Sequence, residues 1–392
     1  MEKINILFVH FGDQWIRGSE RVLIDLMGNI DKDQFGIFLW TNVVPLASIA
    51  QQRGITTRLT NFELYFDYGS PKLDISKYFL FIREGIDIIR TEDISIVHSN
   101  SAAPAQWLVP AVWWTRRPLV VHIHTPYLRR SRVICLLHQC DRIVGVSAPV
   151  LVGPIEDGIA SHKLRIIPNG IDFSRFSGVK TGRVKAELGL LPGDFLLVGV
   201  GSLINRKGWD IALQALHLLD HDVHLCIAGD GPLKARLADI AADLRITNRV
   251  HFLGNLDQPS VVYEAADVVI IPSRVEAFGL VAVEAGYFGN AVIASDVGGL
   301  SAVIQHGISG LLIPPDDPGL LAKSVLLLKN DSAKRRVLGS NAKQSAEGRF
   351  RAAHMAENFE NEYKVLDGRS RNRIMRIIAA ARSYLYLLRR MF

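Results

Sequence analysis

The chain has 392 residues, 48% of them hydrophobic and 21% charged, with a formal net charge of +6. That balance excludes a disordered chain, and the length exceeds one ordinary core, so two domains of about 150 to 200 residues each are expected. No apolar run approaches the roughly 18 residues that span a bilayer.

The first strand, Ile4 to His10, begins almost at once, so no secretory leader is expected and the protein is read as cytoplasmic. Apolar runs at 36–40, 94–98, 119–124 and 142–147 read as further strands, with helical periodicity at 19–30, 75–91 and 103–115. Alternation of this kind predicts a parallel sheet with helices on both faces. The second half repeats it, with strands at 195–201, 223–229, 249–253, 268–272 and 291–295. Helices are expected near 207–219, 232–244, 259–266 and 279–288. The fold class is therefore α/β, with two doubly wound, Rossmann-like domains facing across a cleft. A turn signal at Pro168-Asn169-Gly170 and an irregular 172–193 stretch give domains at 1–175 and 176–350. The helical pattern at 351–368 can return to the first domain.

The three cysteines, Cys135, Cys140 and Cys226, lie in apolar stretches and read as core thiols in a reducing cytosol. They lack histidines at zinc spacing, so no metal site is expected. Residues 369–392 hold seven arginines and no acid, more positive charge than the net charge of the whole chain. Apolar side chains recur there at helical spacing, which makes 369–392 a basic amphipathic helix. It could lie on the anionic inner face of a membrane or dock on the protein's own surface. No nucleic-acid motif accompanies it, and no nucleic-acid partner is expected.

In open α/β sheets, ligands bind beyond the carboxyl ends of the strands. Gly18 and Ser19 follow the first strand: Gly18 allows close backbone approach, and Ser19 can cap the helix. His122 and His124 share a strand face, and His124, at the strand's exit, is the better candidate for bonding a sugar. Arg206 and Lys207, after the first strand of the second half, can reach a diphosphate or form a plain surface pair. Gly229, Asp230 and Gly231, with Pro232 after them, read as a tight strand-to-helix turn whose backbone could approach a base or ribose. The G-x-G-x-x-G fingerprint of dinucleotide enzymes does not occur, which counts against a dehydrogenase.

The most informative stretch is E-A-F-G-L-V-A-V-E, from Glu276 to Glu284. Glu276 falls on the loop after a strand, and Glu284 lies about one and a half turns into the next helix. Between them, around Phe278, Gly279 and Leu280, a helix N-terminus offers free N–H groups to a phosphate. A carboxylate on each side suits a ligand bearing both hydroxyls and phosphates, such as a nucleotide sugar. Capping and solvated-helix roles remain the plain alternatives for the two glutamates.

Taken in order, these residues resemble glycosyltransferase family 4, retaining enzymes of GT-B fold. Further matching pieces are Val146-Ser147, Ile167 to Asp172, Val297 to Gly299 and the run from His306 to Leu312. The resemblance implies a nucleotide diphosphate sugar as co-substrate, no cofactor, no metal, and a glycan or lipid-linked acceptor. It implies that Glu284 holds the ribose, that the Gly279 and Leu280 amides meet the phosphates, and that Glu276 contacts the sugar. Lys207 would neutralise the leaving diphosphate, and His124 would face the transferred sugar. The sequence departs from the family at Arg17, where a glycine is usual, at Ser202, where arginine is frequent, and at Leu300-Ser301-Ala302 after the glycine pair. The acceptor side is marked only by Trp107, Trp113, Trp114 and the arginines at 116, 117, 129, 130 and 132, which suit an anionic or lipid-linked acceptor. An epimerase or phosphorylase on the same fold, or a non-catalytic nucleotide-sugar binder, is the alternative.

Overall fold

The computed structural model describes residues 3–62, 74–177, 184–256 and 258–369. The basic 369–392 segment lies outside the described residues apart from Arg369. Two compact units emerge: one takes the chain up to Gly170 and from Ala352 onward, the other Ile171–Arg351. The division falls five residues before the expected boundary.

The first unit holds a seven-stranded parallel sheet of β1 (Ile4–His10), β2 (Phe35–Thr41), β3 (Thr56–Leu59), β4 (Ile96–Ser99), β5 (Leu119–Ile123), β6 (Arg142–Gly145) and β7 (Leu164–Ile166). Their spatial order is β3-β2-β1-β4-β5-β6-β7. The second unit holds β8 (Phe195–Val200), β9 (Val223–Ala228), β10 (Val250–Gly254), β11 (Val268–Ile271), β12 (Val292–Ser295) and β13 (Leu311–Ile313), in the order β10-β9-β8-β11-β12-β13. The two edge strands of the first sheet, β3 and β7, and β13 in the second were not anticipated. They are three or four residues long, with β3 mostly exposed and β7 only partly covered, so they lack the continuous apolar runs of the buried strands. Central strands do carry such runs, with Ile6, Leu7, Phe8 and Val9 at 1% exposure or less because helices cover both faces.

In both sheets the strand order reverses between the first strand and its fourth-born neighbour: β1 beside β4, and β8 beside β11. At such a switch point the loops leave in opposite directions and open a crevice. The helix Ala352–Arg369 completes the first unit from the far end of the chain. Its Phe359 and Tyr363 are wholly buried, each such burial contributing about 1.5–3 kcal/mol. Glu362 forms an ion pair with the fully buried Arg142 at 2.6 Å and accepts from Arg165 at 2.8 Å. An unpaired charge at Arg142 would be strongly destabilising, so this pair ties the helix to β6 and β7.

Of the residues expected on the acceptor side, Trp107 is fully buried core, and Arg132 is buried in an ion pair with Asp157 at 2.5 Å. Trp113 and Trp114 are exposed. Among the described residues no helix is long and apolar enough to cross a membrane.

Candidate functional site

In the second unit, the loops after β8 and β11 are stitched together backbone to backbone. Gly208 adopts φ +67, and a Cβ there would lie 2.0 Å from the Pro272 carbonyl oxygen, so only glycine lets the two loops touch. The Arg274 N–H donates to the Arg206 carbonyl at 2.8 Å. Its guanidinium forks onto both oxygens of Asp210 at 2.9 and 2.7 Å and donates through Nε to Asp316 at 2.7 Å. Burial would raise the Asp210 carboxyl, but the Arg274 fork outweighs it and holds the group below its ordinary range. The result is to place Lys207 Nζ 2.6 Å from Glu276 Oε2, with both side chains largely buried. Neighbouring Arg206 points outward and has no ion-pair partner among the described residues.

The Glu276 loop is held from beneath by Gly298 and Gly299. A Cβ on either would fall within 2.1 Å of a carbonyl oxygen of Glu276 or Ala277, and the Gly299 N–H donates to the Glu276 carbonyl at 2.9 Å. Gly279, at φ +104, then turns the chain into the helix Leu280–Tyr287. The N–H groups of Gly279, Leu280 and Val281 make no hydrogen bond among the described residues, which leaves a helix N-terminus able to receive an anion. Phe278 does not offer its side chain to that space. It is 3% exposed and packs edge-on against Phe350, so only its backbone can serve a ligand.

Glu284 projects from the second turn of this helix. Its Oε1 accepts from Arg175 at 2.7 Å and its Oε2 from the Tyr263 hydroxyl at 2.8 Å. Burial, reinforced by the Glu284 charge, pushes the Tyr263 hydroxyl far above its ordinary value, so it stays a donor. An ionised carboxylate has about four acceptor positions, so two remain for a diol. Gly229, at φ +150, lies so close to β8 that a Cβ would meet the Gly201 carbonyl oxygen at 2.1 Å. Asp230 is exposed and its carboxylate accepts the Gly231 N–H at 2.7 Å. Pro232 does not open the helix as expected: it lies in a turn, and the helix begins at Lys234.

In the first unit, polar side chains gather at the carboxyl ends of β1, β4 and β5. His10 Nε2 meets Glu20 Oε1 at 2.9 Å, the Asn100 amide nitrogen meets His10 Nδ1 at 3.1 Å and the Ser19 carbonyl at 3.2 Å, and His124 Nε2 meets the Asn100 amide oxygen at 3.0 Å. Ser19 is not the helix cap. Gly18 is the first helical residue, Arg17 takes the cap position, and its N–H donates to Glu20 at 3.0 Å. Burial would raise the Glu20 carboxyl, but the hydrogen bond and electrostatic attraction of His10, with backbone N–H donors, lower it to about 2. His122 and His124 do part company: His122 is fully buried with neither ring nitrogen hydrogen-bonded among the described residues, whereas His124 is partly exposed at the strand's exit. Desolvation, with neighbouring His10, pushes His124 down to about 3, so it is neutral at physiological pH.

The structure adds Asn100, His10, Glu20, Arg175, Tyr263 and Arg274 to the residues singled out by sequence. His10 and Asn100 sit at strand ends and were findable by that rule. Arg175 and Tyr263 carry no local signal, because they meet Glu284 from 109 and 21 positions away.

Two doubly wound units, each with its polar residues gathered at the switch point of a parallel sheet, define a protein of the GT-B class. Residues 182–345 match the family of glycosyl transferases group 1, and residues 16–175 match glycosyltransferase family 4. The chain is 32% identical to the D-inositol 3-phosphate glycosyltransferase of Nocardia farcinica, over 68% of this chain and 66% of that protein. It is 31% identical to the D-rhamnosyltransferase WbpZ of Pseudomonas aeruginosa, over 66% and 69%. Among solved structures, Anabaena HepE in complex with UDP matches with a TM-score of 0.79 at 22% identity, over 92% of this chain and 100% of that one. That likeness shows the fold. The chain belongs to glycosyltransferase family 4. It spans between about four and seven tenths of the length of the relatives it matches.

Proposed function

We propose that the protein is a retaining, metal-independent glycosyltransferase. It moves a sugar from a nucleotide diphosphate sugar to a hydroxyl of a glycan or lipid-linked acceptor, in bacterial-type polysaccharide or glycolipid assembly. The observation that carries this reading is the grouping at the second switch point: the Lys207–Glu276 pair, unbonded amides at Gly279 and Leu280, and Glu284 on the same helix. UDP in the Anabaena structure, and UDP-glucose in another of the same protein, support a nucleotide sugar as donor.

As the bond from the anomeric carbon to phosphate breaks, negative charge grows on the leaving diphosphate. Lys207 and the two amides supply preorganised positive ends for it, which stabilises the transition state more than the ground state. That charge is what a divalent metal would otherwise provide, and it underlies the metal-independent reading. Glu284, held rigid by Arg175 and Tyr263, is assigned to the ribose hydroxyls, and Glu276 to the sugar. His124 is assigned to a sugar hydroxyl. The seven arginines of 369–392 support a peripheral position on an anionic, cytoplasm-facing membrane surface.

The test is incubation with UDP, GDP and ADP sugars, with and without acceptor extracts and with a chelator present. Transfer, or slow donor hydrolysis, is expected with at least one donor, and its absence with all of them defeats the proposal. Glu284→Ala should weaken nucleotide binding in calorimetry, and unchanged affinity would remove the ribose role.

A further inference from the structure

Hydrogen bonds at the carboxyl ends of β1, β4 and β5 fix where the protons sit. Asn100 is fully buried, and its side-chain amide has one oxygen and two N–H donors to place. One side of the amide lies 3.2 Å from the Ser19 carbonyl oxygen, an atom that can only accept. That contact orients the amide, because the opposite rotamer would set two oxygens against each other in a buried position. The second N–H then points at His10 Nδ1, 3.1 Å away. His10 must therefore offer a lone pair at Nδ1 and carry its proton on Nε2, which donates to Glu20 at 2.9 Å. The amide oxygen faces His124 Nε2 at 3.0 Å, so that nitrogen carries the proton. His124 Nδ1 is left as a lone pair with no partner among the described residues.

We infer that Asn100 is a positioning residue that locks His124 as the Nε2–H tautomer, so that His124 Nδ1 accepts a hydrogen bond from a hydroxyl of the bound sugar. The ligand in this inference rests on the glycosyltransferase reading, whereas the tautomer lock stands on the hydrogen bonds alone. Glu20 anchors the far end of the relay. As a carboxylate that only accepts, it keeps the His10 proton on Nε2 and so keeps Nδ1 available to Asn100. The relay gives His124 a defined preference: it receives a hydroxyl hydrogen and gives nothing to a carbonyl or ether oxygen. A donor sugar lacking the matching hydroxyl loses the bond, and a donor with a keto group in its place meets lone pair against lone pair.

Long-range proton–nitrogen NMR of the full chain labelled in its histidines reads each tautomer directly. Ring signals are assigned by their loss in His124→Ala and His10→Ala. The expected result is a protonated Nε2 and a bare Nδ1 for both His10 and His124. Asn100→Leu removes the lock, so His124 should become a mixture of tautomers, with kcat falling about fivefold and the donor KM changing little. Asn100→Asp keeps an acceptor facing His124 and should keep its single tautomer, but its second oxygen replaces the N–H donors that meet the Ser19 carbonyl and His10 Nδ1, so this variant should be less stable in urea unfolding. A wild-type His124 protonated on Nδ1 would overturn the inference without need of any variant. So would an unchanged tautomer ratio in a folded Asn100→Leu protein. If the tautomers are as expected but no sugar is transferred, the enzymatic reading fails while the lock stands.

Discussion

Replacing Gly208 by alanine separates two costs that the structure predicts will add. The residue sits at φ +67, where an L-residue costs about 1–2 kcal/mol. An added Cβ also lies 2.0 Å from the Pro272 carbonyl oxygen and 3.0 Å from its carbon, backbone atoms that cannot rotate aside. Reaching an ordinary contact requires the loop after β8 to back away by about 1.5 Å. The Lys207–Glu276 bond, 2.6 Å long, crosses the same seam and would be stretched out of hydrogen-bonding range. Overpacking against rigid neighbours costs about 1–3 kcal/mol, for a total of about 2–5 kcal/mol. Gly254 is the control. Its φ is +68, yet a Cβ there meets nothing within 4 Å, so Gly254→Ala carries the conformational cost alone. Urea unfolding of the full-length proteins, followed by circular dichroism with the m-value checked for constancy, measures the difference. Gly208→Ala should be the less stable variant by about 1–3 kcal/mol and should bind nucleotide diphosphate more weakly, with Gly254→Ala near wild type in binding. Equal destabilisation by the two substitutions would refute the claim that the Pro272 contact sets the seam between these loops.

Lys207→Ala should lower turnover by a factor of about 100 or more, as expected for removing a preorganised charge at the leaving group, with a smaller change in donor KM in steady-state assays. Tyr263→Phe deletes one of two donors to a largely buried carboxylate and should cost about 1–3 kcal/mol in urea unfolding, with nucleotide affinity falling as Glu284 loses its orientation. Glu20 has a folded pKa of about 2 against an ordinary 4.5, so its contribution is full above pH 4.5 and is lost as pH falls towards 2. The amount at stake is about 3 kcal/mol, and Glu20→Gln should flatten the acid limb of a stability–pH profile. Deleting residues 370–392 should release the protein from phosphatidylserine vesicles in a sedimentation assay. Undiminished pelleting of the shortened chain would show that the segment is not the anchor.

The architecture was legible because buried parallel strands are written as unbroken apolar runs, and ten of them stood out at Ile4–His10, Val268–Ile271 and their counterparts. Edge strands such as Thr56–Leu59 were not, since exposure removes the selection for apolar side chains on either face. At the candidate site, Glu276, Lys207 and the glycines were singled out because they stand at strand ends, and Glu284 because it lies in the helix that follows. What sequence order could not express was who meets whom. Lys207 and Glu276 are 69 positions apart and belong to a single ion pair. Phe278 shows a second limit, because membership in a loop says nothing about which way a ring turns, and this one turns into the core while its backbone stays in the loop. Ser19 failed as a cap for a local reason: Glu20 already reaches back to the Arg17 N–H, which moves the cap two residues toward the N-terminus.

The helix Ala352–Arg369 has a bearing on how the chain comes into being. Tyr363 and His98 meet from 265 positions apart, so the first unit remains short of a helix, and of its Arg142 partner, until the whole second unit has been synthesised. The second unit, continuous from Ile171 to Arg351, has no such wait. Synthesis therefore favours an inverted order, in which the later-made unit closes first and the earlier-made one holds its histidine-lined core open for the last segment. Emergence of residues 352–369 would then supply the counterion that Arg142 needs once it is buried.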